Sequence, residues 1–158
     1  MKPGDHPEFF RLPPPEGRSR ESSIVLDRHG RFFHEGAPVE HAGLAAAFAS
    51  WVARHPDDGR YVLVNGYDWC YLTVESTPFF VVRFDPASGE VELSDGGRER
   101  LDAETLHVEV DGVLCVSVKE RRYEARFSRS AQLSIAPLLD DTEPVELNLF
   151  GQRFPVPQ

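Results

Sequence analysis

The chain has 158 residues, 41% of them hydrophobic, with 26 acidic against 17 basic side chains and a net charge of −9. That length suits one domain or two small lobes, and folding would bury about 70% of the surface of the unfolded chain, enough for a core that needs no staples. The acidic balance disfavours duplex nucleic acid and anionic membrane surfaces, where affinity comes from Lys and Arg, and no apolar run is long enough to cross a bilayer.

Residues 1–22 are proline-rich and lack apolar periodicity, which predicts an extended arm with Phe9, Phe10 and Leu12 able to dock on the body. Pro13-Pro14-Pro15 favours polyproline II and reads as a spacer, with an SH3-type ligand as the alternative. The first residues hold no apolar h-region, so a Sec leader is not expected. Two cysteines, Cys70 and Cys115, offer neither a disulfide framework nor zinc spacing, and the expected compartment is the reducing cytoplasm.

Ile24–Leu26 and Arg31–His34 flank Asp27-Arg28-His29-Gly30, where Gly30 supplies the positive φ of a hairpin loop. Gly36 and Pro38 break the second strand. Leu44, Ala47, Phe48, Trp51 and Val52 then recur at a 3.6-residue period on an alanine-rich background, which predicts an amphipathic helix over Ala42–Arg54, stopped by His55-Pro56. Period two follows. Arg60–Val64 and Trp69–Glu75 read as strands around Asn65-Gly66, and Phe79–Asp85 and Glu90–Leu93 as strands around Pro86-Ala87-Ser88-Gly89. The polar stretch 94–104 reads as a loop. Leu106–Val110 and Val113–Lys119 flank Asp111-Gly112, taken as a two-residue turn, which sets Val108 opposite Cys115. Further strands are expected at Tyr123–Phe127, Val145–Phe150 and Phe154–Val156, and Ser130–Leu139 reads as a strand in preference to a short helix. With no βαβ rhythm, the fold class is α+β: antiparallel strands in two small, closely packed roll-like lobes and one main helix. The expected division is an arm over 1–22, an N-terminal α+β lobe over 23–79 and a β-rich roll over 80–158.

Several segments resemble a bacterial protein family of unknown function. Asp27…Gly30-Arg31-Phe32-Phe33-His34-Glu35-Gly36-Ala37-Pro38-Val39, followed by Leu44…Phe48, is similar to an opening of the type DG-x-W-x-H/Y-x-G-x-P-I and its helix. Asp58-Gly59-Arg60-Tyr61-Val62-Leu63-Val64, Val74-Glu75-Ser76-Thr77-Pro78-Phe79, Tyr123-Glu124-Ala125-Arg126-Phe127-Ser128-Arg129-Ser130 and Gly151-Gln152-Arg153-Phe154-Pro155-Val156 resemble later pieces. His29 stands where the family has Asp, and His41 where it often has Arg. The resemblance implies two roll-like lobes divided near residues 78–82, and it implies no activity.

Candidate chemistry is sparse. His29, His34, Glu35 and His41 are near in sequence but fall in a turn, a strand end and a helix start, so neither a metal nor a cofactor is expected. Alternation places Cys70 and Cys115 on apolar faces, as inert core thiols. Arg126 and Arg129 have the fork geometry to clamp an anion, and Trp69 and Tyr71 share one strand face where an interface anchor would sit. No Walker, dinucleotide or Gly-x-Ser-x-Gly pattern occurs. The expected function is that of a soluble, non-enzymatic binding or regulatory module for a protein partner or for itself as a homodimer. The alternative is a small anionic ligand in a pocket between the lobes, touched by Arg126, Arg129, His34, Trp69 and Tyr71. A hydrolase pairing His34 with a carboxylate ranks third.

Overall fold

The computed structural model describes residues 2–158. Mixed sheets built largely of antiparallel strands, with two α-helices, make the fold class α+β. The chain divides into two compact units, Met1–Pro78 and Phe79–Gln158.

In the first unit, β1 (Val25–Leu26) and β2 (Phe32–His34) form the hairpin expected around Gly30, which takes φ 84°. The buried Asp27 carboxylate closes the loop by accepting from the backbone of His29 at 2.9 Å and of Arg31 at 2.8 Å, and from Arg31 Nε at 3.0 Å. Burial pushes this carboxyl up, but those three donors outweigh it and hold the pKa below the ordinary Asp value. β3 (Ala37–Pro38) pairs with β2. The helix α1 runs over Ala42–Trp51, capped by His41, whose Nδ1 accepts from the Leu44 amide at 3.1 Å.

The helix is one turn shorter than its periodicity suggests. Val52–Arg54 is a strand, β4, antiparallel to β5 (Tyr61–Val64), because a β-branched Val52 buries itself in the ladder while its backbone groups find partners across the sheet. β6 (Trp69–Tyr71) completes the sheet β4-β5-β6. The single strand expected over Trp69–Glu75 is also two. At Leu72 the chain changes sheets, and β7 (Thr73–Val74) lies parallel to β1 in the order β3-β2-β1-β7.

The arm is extended only in part, as at His6 and Leu12. Pro3–Asp5 and Phe9–Arg11 are 3₁₀ turns, and Phe9 is buried in a core cluster with Val62 and Trp69. Phe10 packs against Trp69 and His55. Leu12 stays 45% exposed. His55 is buried, and its Nδ1 accepts from the Asp57 amide at 3.1 Å, which leaves the Nε2 proton to reach the Phe10 carbonyl at 3.2 Å. Arg20 lies over the Trp69 ring, 4.5 Å from its centroid. Its guanidinium bonds Asp68 and donates to the carbonyls of Trp69, Leu12 and Pro13.

The second unit holds a six-stranded sheet whose neighbouring strands are, in order, Arg98–Arg100, Glu90–Leu93, Phe79–Asp85, Tyr123–Phe127, Leu114–Val118 and His107–Val108. β8 (Phe79–Asp85) and β9 (Glu90–Leu93) match the sequence reading, but Arg98–Arg100 within the expected loop adds β10. β11 is His107–Val108, β12 Leu114–Val118 and β13 Tyr123–Phe127, with β13 parallel to β8. Ser130–Leu139 is not a strand. Ser128 Oγ accepts from the Ala131 amide at 3.2 Å and starts the helix α2 (Arg129–Ile135), which buries Ala131 and Ile135 four residues apart. A 3₁₀ turn over Ala136–Leu138 leads to a small sheet of β14 (Leu139–Asp140), β15 (Glu146–Leu149) and β16 (Gln152–Pro155). No helix among the described residues is long and apolar enough to cross a membrane.

Candidate functional site

The residues singled out from sequence divide between the two units: His34, Trp69 and Tyr71 belong to the first, where the Trp69 and Tyr71 rings lie 5.1 Å apart, and Arg126 and Arg129 to the second. Trp69 is buried beneath the arm and Tyr71 is half-buried; the Tyr71 hydroxyl donates to Asp58 at 2.6 Å and the Arg60 guanidinium lies 3.6 Å from its ring centroid. Both therefore hold the first unit together. Arg126 is buried at 7% exposure and bonds Asp111 at 2.8 Å, while Arg129 sits exposed at the first turn of α2. His34 is exposed at the end of β2.

His34 does border a recess of about 300 Å³, together with Val39, Glu40, His41, Leu44 and Phe48. A neighbouring recess of about 160 Å³ runs on past Phe48 to Trp51, Leu63 and Trp69. Ile24 and Phe48 line both, so the two form one largely apolar groove along α1. The helix supplies its floor but is itself poorly covered: only Ala49 is fully buried, Phe48 and Trp51 are half-buried, and Leu44 is 43% exposed. Polar groups mark the ends, His34, Glu40 and His41 at one and Asn65 and Asp68 at the other.

A second concentration of functional groups lies on the β11–β12 hairpin, where the sequence reading misses the register by one residue. His107, not Val108, stands opposite Cys115, and Val108 pairs with Leu114. The turn holds three residues rather than two. The Glu109 amide donates to the Val113 carbonyl, Val110 projects at the tip with 106% exposure, and Gly112 takes φ 82°. A one-residue shift reverses the faces. Cys115 therefore shares its face with His107 on one neighbour and Arg126 on the other.

His107 Nε2 lies 3.0 Å from Glu109 Oε1, and Nδ1 lies 3.0 Å from the Thr105 carbonyl. Burial pushes the imidazolium pKa down, yet the Thr105 carbonyl and the Glu109 carboxylate hold it above the ordinary histidine value. Cys115 is buried, and desolvation followed by the Glu109 charge pushes its thiol up to about 12. With both imidazole nitrogens facing oxygen acceptors, His107 is no general base for Cys115. The visible sequence signal was His107-x-Glu109 ahead of a glycine turn, and the wrong turn length hid Cys115 from it.

No family model matches the chain, and no curated protein matches it. Two solved structures do share its fold. A DUF1285 family protein from Silicibacter pomeroyi DSS-3 aligns with TM-score 0.65 over 93% of this chain and 91% of that one, at 18% identity. A DUF1285 family protein from Shewanella baltica OS155 aligns with TM-score 0.56 over 75% of this chain and 94% of that one, at 22% identity. The chain has a DUF1285-type fold. Its structural neighbours are thus bacterial proteins of a family without assigned function, as the motif resemblance implies. At these identities the DUF1285 likeness is one of fold, and the chemistry of this chain has to be read from its own side chains.

Proposed function

We propose that the protein is a non-enzymatic binding module that takes an apolar segment of a partner protein into the groove along α1. The observation that carries this reading is a ten-residue helix of almost wholly apolar sequence whose Leu44, Phe48 and Trp51 are left partly open beside a groove. Apolar anchors at i, i+4 and i+7 suit an amphipathic helix or strand laid into the groove. The net charge of −9 favours a partner whose rim is basic. A second copy of the chain carries the same charge and is the less favoured occupant.

The test uses the Leu44→Asp variant. Residue 44 is the third helical position after the His41 cap, where an acidic side chain complements the helix dipole, so the variant keeps its fold. Covering Leu44 is worth on the order of 1–2 kcal/mol, so the variant should bind groove ligands roughly five- to thirtyfold more weakly. Peptides selected from a random display library against the wild type and titrated by calorimetry should be rich in apolar residues with Lys or Arg at their edges, and should lose affinity in Leu44→Asp. Selected peptides that bind both proteins equally would overturn the reading. A wild-type dimer in sedimentation that Leu44→Asp dissociates would replace the foreign partner with a second copy.

A further inference from the structure

The β11–β12 hairpin brings together the only group of three His, Cys or carboxylate side chains among the described residues whose ligating atoms all lie within 4.8 Å of one another: His107, Glu109 and Cys115. We propose that these three side chains bind a single zinc-class divalent cation. His29, His34 and His41, the histidines that stand near one another in sequence, form no such group among the described residues.

Four features support the site. The donors are placed by the ladder: His107 is directly opposite Cys115, and Glu109 is two residues along from His107 on the same face, with its amide bonded to Val113 to continue the pairing. A tetrahedral zinc centre with bonds of about 2.0–2.3 Å needs its donors within roughly 3.3–3.8 Å of each other, so a small side-chain rotation closes the cluster.

The imidazole is also oriented from behind. His107 Nδ1 faces the Thr105 carbonyl, which leaves Nε2 as the ligand on the Glu109 and Cys115 side, the usual support of a metal-bound histidine. Thr105 is itself anchored, its hydroxyl donating to the Asp102 carbonyl at 2.8 Å and accepting from the Ser117 amide at 2.9 Å.

The charges balance. One carboxylate and one thiolate neutralise a dication, after the thiol proton and the Nε2 proton have left to solvent. The cation that faces Cys115, Arg126, is already paired with Asp111 at 2.8 Å, and Glu124 adds negative charge nearby. Finally, the donor types discriminate: one sulfur and one imidazole nitrogen select zinc-like ions over magnesium or calcium. The side chains of His107 and Glu109 are 31% and 46% exposed, so the ion enters from their side and its fourth position is open to water.

Cobalt(II), a spectroscopic stand-in for zinc, tests this on the full chain. Wild type titrated with cobalt(II) should show a near-ultraviolet sulfur-to-metal charge-transfer band that saturates at one metal per chain and is bleached by zinc. Cys70→Ser should keep the band and Cys115→Ser should lose it. Because Cys115 is buried, Glu109→Gln supplies the arm that leaves the core intact, and it should weaken cobalt binding by about tenfold or more, the low end of what disturbing a metal's surroundings costs. Circular dichroism confirms that each variant is folded. Absence of a charge-transfer band in wild type, a band that depends on Cys70, or a band that survives Glu109→Gln at unchanged affinity would each overturn the proposal.

Discussion

Phe9→Ala tests how the first unit is closed. Phe9 is 5% exposed and packs with Val62 and Trp69, while its neighbour Phe10 lies 5.3 Å from it, ring to ring, and 5.5 Å from Trp69. A buried phenyl group removes roughly 150 Å² from water, worth about 4 kcal/mol at 25 cal/mol per Å². Alanine retains a fraction of that, and the arm lies at the surface, where solvent fills the gap; a net loss of about 3 kcal/mol sits at the low end of core Phe→Ala changes. For a chain of this length that corresponds to a Tm lower by roughly 6–12 °C. The assay is thermal unfolding followed by Trp69 fluorescence in a Trp51→Phe background, with the emission maximum also read about 20 °C below the wild-type midpoint, where about 5–10 kcal/mol favours the folded wild type. The expected result is a lower Tm and red-shifted native emission as Trp69 loses its cover. A Tm within about 1 °C of wild type, which would equal less than 0.5 kcal/mol, would refute the argument that the arm is part of the core.

Other outcomes follow from single side chains. Asp27→Asn removes the charge that accepts three N–H groups and should cost about 1.5–3 kcal/mol at pH 7 in urea unfolding. The wild-type carboxyl is depressed from 3.8, so its stabilisation is complete above that value and is lost as pH falls through the folded-state pKa; the two proteins should converge in acid, and a gap unchanged at pH 2 (an acidity of about two units below the ordinary Asp value) would contradict this. Lys119, Glu120 and Arg121 are three successive residues with φ of 54°, 61° and 63°. Since a side chain in this region costs about 1–2 kcal/mol, and glycine's extra unfolded-state freedom returns part of that, Glu120→Gly at this exposed position should stabilise by about 0.5–1 kcal/mol; a lower Tm would count against the strain. Together with the loss of peptide affinity in Leu44→Asp and the cobalt band that needs Cys115, these outcomes test each unit separately.

Much of the local structure was legible in the residues themselves. The Asp27–Gly30 and Asn65–Gly66 turns and the Pro86–Gly89 hairpin lie where the glycines and Asx residues put them, because a turn depends on the φ preference of one or two residues and on bonds to atoms two to four positions away. The start of α1 at Ala42 followed from the same kind of signal. Its end did not, since Val52 fits either a last helical turn or a first ladder position, and the strand at Tyr61–Val64 decides between them. The candidate sites were the least legible. The Arg126 and Trp69 side chains, chosen from sequence for their binding chemistry, are taken up by Asp111 and by the arm.

The amino-acid order by itself determined the α+β class, most turns and most strand positions, since these rest on periodicity and on contacts within a few residues. Tertiary structure decided which face Cys115 shares, where the strand at Leu72 changes sheets, that Ser128–Ile135 coils into a helix, and that Phe9 lies beneath the surface. Each of those outcomes turns on pairing or burial between segments distant in the chain, where a shift of one residue exchanges a polar face for an apolar one and no local preference is strong enough to choose.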